Sequence, residues 1–145
     1  MRITFEEIET KAPTAPGVYE IYISSNGEPL KVGIGSNLRK RLIQHRESRQ
    51  NYLRLRPCGN WSNPNDVMSK RSILSKHLYF DASIENYDLK AESGRREFLA
   101  NDCHIILRTT GSRAAARELE RALEKERRFK YVGRVVVRPK RSNDR

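Results

Sequence analysis

The clearest β-rich run of apolar positions, interrupted by Glu20 and closed by Ser24, spans residues 18–24, Val-Tyr-Glu-Ile-Tyr-Ile-Ser. It is entered through Pro16-Gly17 and left through Ser25-Asn26-Gly27-Glu28-Pro29. β-branched and aromatic residues suit a pleated surface, and Asn-Gly is the strongest short turn signal, so this run and 30–34 predict an antiparallel hairpin. Tyr22 stands an odd number of residues from Tyr19, which places the two on opposite faces of a regular strand. Ser36-Asn37 predicts the cap of a helix over 38–49, with Leu38 and Leu42 on its buried side. Residues 51–63 read as irregular because of Pro57, Gly59 and Asn60, and helices follow over 65–77 and 94–100. Residues 103–109, Cys-His-Ile-Ile-Leu-Arg-Thr, predict a buried strand. Gly111-Ser112 then opens the longest helix, 113–129, with Ala115, Ala116, Leu119, Ala122 and Leu123 as its apolar stripe. Val135 to Val137 predict a short last strand. The fold class implied is α/β: one domain over 1–145, with a small antiparallel or mixed three-stranded sheet flanked by helices. Residues 51–102 form a helical insertion in it, and 139–145 a basic flexible tail.

Composition narrows the partners more than the fold. The chain is 37% hydrophobic and 8% aromatic, a lean core but enough to exclude the disordered class. No apolar run reaches the ~18 residues of a membrane span, and the acidic start MRITFEEIETKAP lacks the apolar stretch of a secretion signal. Two cysteines, Cys58 and Cys103, build no disulfide framework; together these features predict a cytoplasmic protein without a membrane partner. The net charge is +11. Seven Lys/Arg against Glu47 fall between Arg39 and Arg56, and eight against Asp144 between Arg127 and Arg145. Two basic blocks on a nearly neutral body point to phosphate, and the prevalence of arginine favours nucleic acid over simple solubility.

One constellation carries chemistry. Gly17-Val18-Tyr19 begins the first hairpin strand and Lys31-Val32-Gly33 lies on the second. Eight residues after Gly33 comes Arg41 within Asn37-Leu38-Arg39-Lys40-Arg41-Leu42, and four further on comes His45. Residues four apart share a helix face, which predicts Arg41 and His45 together at a groove edge, about 100° from the leucine stripe. This combination of strand, Asn-Gly turn, strand and capped Arg/His helix resembles the GIY-YIG nuclease superfamily. The resemblance covers residues 15–46 and, more loosely, 103–133. The segment Ala116-Arg117-Glu118-Leu119-Glu120-Arg121-Ala122-Leu123 is similar to the family's metal-binding helix.

The resemblance implies that Tyr19 deprotonates the attacking water, that Arg41 and His45 act on the phosphate, and that Glu120 binds Mg²⁺ or Mn²⁺. Glu118 and then Glu124 are the other carboxylates considered for that place. A phenol is a poor base at neutral pH unless a cation lowers its pKa, and Lys31 is the cation expected to do so. Lys31 stands where the family most often has a second Tyr, and some restriction-enzyme members resemble this chain in carrying Lys there; contacting phosphate or merely covering the strand are its other readings. The Asn that often follows the Glu helix is missing, with Tyr131-Val132-Gly133-Arg134 in its place. His77, His104 and the cysteines show no zinc spacing, and Gly33-Ile34-Gly35 is too short for a phosphate-cradling loop.

The function expected is Mg²⁺-dependent endonuclease action on DNA by Tyr19, Lys31, Arg41, His45 and Glu120. Arg39, Lys40, Arg46, Arg49, Arg54 and Arg56 are expected to bind the nucleic acid. The alternative is a DNA- or RNA-binding module on the same fold that has lost catalysis, and a structural RNA-associated protein is a third class. Aromatic and basic residues in 51–102 suggest an element that reads or wraps the nucleic acid, or a lid that enlarges the core. A dimer would let a small nuclease cut both strands, although no interface is legible.

Overall fold

The computed structural model describes residues 1–140, so the predicted tail from residue 141 onward lies outside the described residues. Gly27, at φ +72°, returns its N–H to the Ile23 carbonyl at 2.9 Å and turns strand β2 (Gly17–Ile23) into strand β3 (Pro29–Gly35). The hairpin therefore forms as its β-prone residues and turn residues dictate. Strand β1 (Arg2–Thr4) and strand β6 (Cys103–Thr109) complete an antiparallel sheet in the order β1-β6-β2-β3, leaving β3 at an edge. The sheet thus has four strands rather than three. β1 contributes only Ile3 to the core and is too short to show alternation in sequence.

Two layers cover the sheet. One face packs Tyr19, Ile21, Leu30 and Ile105 against helix α1 (Ile8–Lys11), helix α2 (Leu38–Glu47), helix α3 (Ile73–Tyr79) and helix α4 (Glu92–Asp102). The other face packs Val18 and Val32 against Ala116 and Leu123 of helix α5 (Arg113–Glu124). Tyr22 stacks on His104 and meets Phe129, which places it opposite Tyr19. Asn37 caps α2 by accepting the Lys40 N–H, and Ser112 caps α5 by accepting that of Ala115.

Several expected elements differ. The helix expected over 65–77 begins only at Ile73, where Ser72 caps it. Before it, Val67–Ser69 is strand β5, which pairs with strand β4 (Leu53–Leu55) inside the stretch expected to be irregular. The local alternation at 53–55 and 67–69 is three residues long, which only a pairing partner makes into a strand. Helix α5 stops at Glu124, and Arg127 turns the chain at φ 56°. Residues 135–137 find no strand edge to join; Val135 instead fills a small cluster with Leu53, Val67 and Phe80. The helical insertion also divides: Phe98 and Leu99 of α4 belong to the main core, whereas the β4–β5 ribbon sits on that separate cluster. No helix among the described residues is long and apolar enough to cross a membrane.

Candidate functional site

Register brings the first pair of site residues together. Tyr19 lies directly opposite Gly33, and Lys31 opposite Ile21, so both project from the α2 face of the hairpin. The Tyr19 ring crosses the space above Gly33. A Cβ at residue 33 would collide with the Tyr19 Oη and Cζ, which is why this position is glycine.

Tyr19 is 1% exposed, and its Oη lies 2.6 Å from His45 Nε2. His45 Nδ1 in turn lies 2.7 Å from Ser72 Oγ, which accepts the Ser75 N–H. Ser75 Oγ meets Ser48 Oγ at 2.6 Å, and Arg95 Nε donates to Ser48 Oγ at 2.8 Å. A buried series of hydrogen-bonded residues, crossing Ser75 from its backbone N–H to its hydroxyl, therefore runs from the hairpin through α2 and α3 to α4. Arg95 closes it by donating also to the Ser48 and Leu89 carbonyls and to Gln50, with no carboxylate among these partners.

His45 is not at a groove edge. It stands seven residues from Leu38, about 20° away on a helical wheel, so it belongs to the buried leucine stripe and reaches Tyr19 from beneath. Arg41, three residues from Leu38, does open onto the surface. A cleft of about 720 Å³ between α2, β3 and α5 is lined by Tyr19, Lys31, Lys40, Arg41, Arg113, Arg117 and Glu120. Arg41 is held by donating Nη1 to the Arg71 carbonyl at 2.7 Å and to Gln44 Oε1 at 3.1 Å. Because β3 is an edge strand, α2 on one face and α5 on the other can both reach round it into one cleft.

Charge and burial set the protonation states. Burial pushes the Tyr19 phenol up to about 12; the Arg41 guanidinium opposes this and Glu120 adds to it. The cation that favours the phenolate is Arg41. Burial instead lowers the Lys31 ammonium, against the pull of Glu120 and Glu124. His45 is held well below its ordinary value by burial, then by the charges of Arg41 and Lys31. Burial and Glu124 raise the Glu120 carboxyl, while Lys31, Arg117 and Arg113 oppose them.

The expected phosphate ligands separate into groups. Lys40 lines the cleft. Arg46 is committed to a two-pronged ion pair with Glu9 and to the Phe5 carbonyl, and Arg39 donates to the Ala12 carbonyl, so both serve the packing of α2. Arg49 and Arg54 line a second concavity, while Arg56 lines neither. Glu118 is exposed and absent from the cleft lining, which removes it as the alternative to Glu120. Sequence reading missed Arg113 and Arg117, although their spacing from each other and from Glu120 already puts all three on one face of α5.

Among the described residues no group of three or more His, Cys, Asp or Glu could enclose a metal. Glu120 is the one carboxylate lining the cleft, and no cation lies within ion-pair distance of it among the described residues. Such a donor fits a Mg²⁺-type ion, which takes one or two carboxylates and completes its shell with water and substrate phosphate. Comparison with protein-family models, with curated proteins and with solved structures finds no match to this chain.

Proposed function

We propose that this cleft hydrolyses phosphodiester bonds in DNA, as a Mg²⁺-dependent endonuclease of the GIY-YIG superfamily. The observation that carries the reading is the convergence of Tyr19, Arg41 and Glu120 on one cleft from a strand and two helices remote in sequence. Four further cations, Lys31, Lys40, Arg113 and Arg117, surround a single carboxylate, which suits a substrate bringing negative charge.

The proton route follows from the protonation states. A free phenol near 12 is not a base at pH 7, and a phenolate is not required. With His45 Nδ1–H donating to Ser72, Nε2 accepts from the Tyr19 hydroxyl. As the water oxygen bonds phosphorus, its proton passes to Tyr19 Oη while the phenol proton passes to His45 Nε2. The scissile P–O bond breaks and the departing oxygen takes a proton from solvent; His45, whose charged form burial disfavours, hands its proton back to Tyr19 Oη, which releases the water-derived proton to the cleft. Arg41 offers its planar fork to the phosphate, and Arg113 and Arg117 add charge on the opposite wall. A divalent ion held by Glu120 supplies charge neutralisation at the phosphate when bound.

A second reading, a nucleic-acid-binding module without catalysis, draws support from the near-complete burial of Tyr19, which limits water access to its hydroxyl. Supercoiled-plasmid nicking in Mg²⁺ and in EDTA separates the two. The nuclease reading requires metal-dependent nicks that Arg41→Ala and Glu120→Ala abolish; binding without nicks in any divalent metal supports the module.

A further inference from the structure

The β4–β5 ribbon carries a feature that the cleft chemistry does not use. Arg49, Arg54, Lys70 and Arg71 line, with Asn51 and Tyr52, a concavity of about 670 Å³. Among the described residues the only carboxylate within 4 Å of these four cations is Glu47, 3.5 Å from Arg49, and it already accepts a hydrogen bond from Tyr52. The ribbon is anchored from below by Leu53 and Val67, so its outward pair, Arg54 opposite Met68, faces solvent, with Met68 45% exposed. The Lys70 N–H, donating to the Tyr52 carbonyl at 2.7 Å, fixes the end of the ribbon.

This patch adjoins the cleft. Arg71 lines the concavity, and its carbonyl holds Arg41, so the two basic surfaces meet at one residue. A polymer whose phosphate lies on Arg41 can therefore place neighbouring phosphates over Arg71 and Lys70.

We infer that the β4–β5 ribbon is the groove-reading element for double-stranded DNA, with Lys70 and Arg71 on phosphates and Arg54 and Met68 directed at base edges. This rests on the nuclease reading for the position of the scissile phosphate. A two-stranded ribbon fits the ~12 Å major groove of B-form DNA, where an Arg fork reads guanine and an apolar group meets the thymine methyl. The major groove of A-form RNA is too deep and narrow to admit it.

Fluorescence anisotropy in EDTA, with duplex DNA and duplex RNA of one sequence across about 50–200 mM salt, tests this. Arg54→Ala/Lys70→Ala is expected to bind duplex DNA about tenfold or more weakly, and its log–log salt slope to fall by about one, for the phosphate contact of Lys70. Arg2→Ala, on β1 at the opposite sheet edge, is expected to match wild type. Circular dichroism confirms that each variant is folded. Affinity of the double variant within twofold of wild type, an equal loss on duplex RNA, or no wild-type binding to duplex DNA would overturn the inference. Chelated conditions keep this outcome separate from catalysis. A chain that binds through the ribbon but never nicks leaves the surface standing and removes the nuclease, whereas a nicking enzyme indifferent to the double substitution removes the surface alone.

Discussion

The Tyr19 hydroxyl and His45 Nε2 lie 2.6 Å apart in a fully buried pair that joins strand β2 to helix α2. Burial pushes the phenol up and the imidazole down, so both are neutral at physiological pH, with the shared proton resting on the phenol. Tyr19→Phe keeps the ring and strands the histidine nitrogen. It is expected to cost about 1–3 kcal/mol in urea denaturation and to slow cleavage about 100-fold or more. A variant with wild-type stability would show that the pair is not formed.

Gly33 is the complement of that ring. Gly33→Ala is expected to destabilise the chain by about 1–3 kcal/mol, because the new methyl collides with the Tyr19 phenol end. The cost should largely vanish when the same change is made in a Tyr19→Ala background, where the space is free. A double-mutant cycle by thermal denaturation checks this; additive costs would place the clash elsewhere.

Arg95 is buried at the far end of the hydrogen-bond chain and donates to Ser48, Leu89 and Gln50. Arg95→Ala orphans these acceptors and opens a cavity, so a loss of about 3 kcal/mol or more is expected from chemical denaturation. A loss under about 1 kcal/mol would show that the chain does not tie α2 to α4.

Stability is expected to fall as pH drops below about 6.5. His77, buried against Tyr131, is held down to about 3, mainly by burial and then by the charges of Lys31, Arg138 and Lys76. His45 and His104 are lowered as well. The unfolded chain then binds protons that the folded chain refuses, at about 1.4 kcal/mol per pH unit for each such histidine. Asp81 is also held low despite its burial, by Lys130, Ser83 and Tyr131, and extends the decline below its ordinary range. Urea titrations from pH 7 to 4 should show a positive slope that His77→Phe reduces. A flat profile would contradict the buried neutral histidines.

The hairpin, α2, β6 and α5 are legible because each declares itself locally, by a β-rich run between turn residues, a cap or an apolar stripe. Cleft residues Tyr19, Lys31, Arg41 and Glu120 could be singled out from spacing and from the resemblance those spacings suggest. His45 departs from its predicted groove edge because its place seven residues from Leu38 puts it in the buried stripe, which outweighs the face it shares with Arg41. β1, β4 and β5 were invisible for a different reason: three-residue strands exist only through partners distant in sequence. Arg95 likewise gave no signal, since a buried arginine with neutral partners looks like a surface one until α2, α3 and α4 are packed around it.

The most direct test of the cleft is a single-turnover assay on end-labelled duplex DNA with wild type, Tyr19→Phe and Glu120→Gln, at protein concentrations that saturate binding. Wild type is expected to cut in Mg²⁺ and not in EDTA, with both variants bound yet slowed about 100-fold or more. Cleavage by either variant at the wild-type rate, or a bound wild type that leaves the duplex intact in Mg²⁺ and Mn²⁺, would contradict phosphodiester hydrolysis at this site.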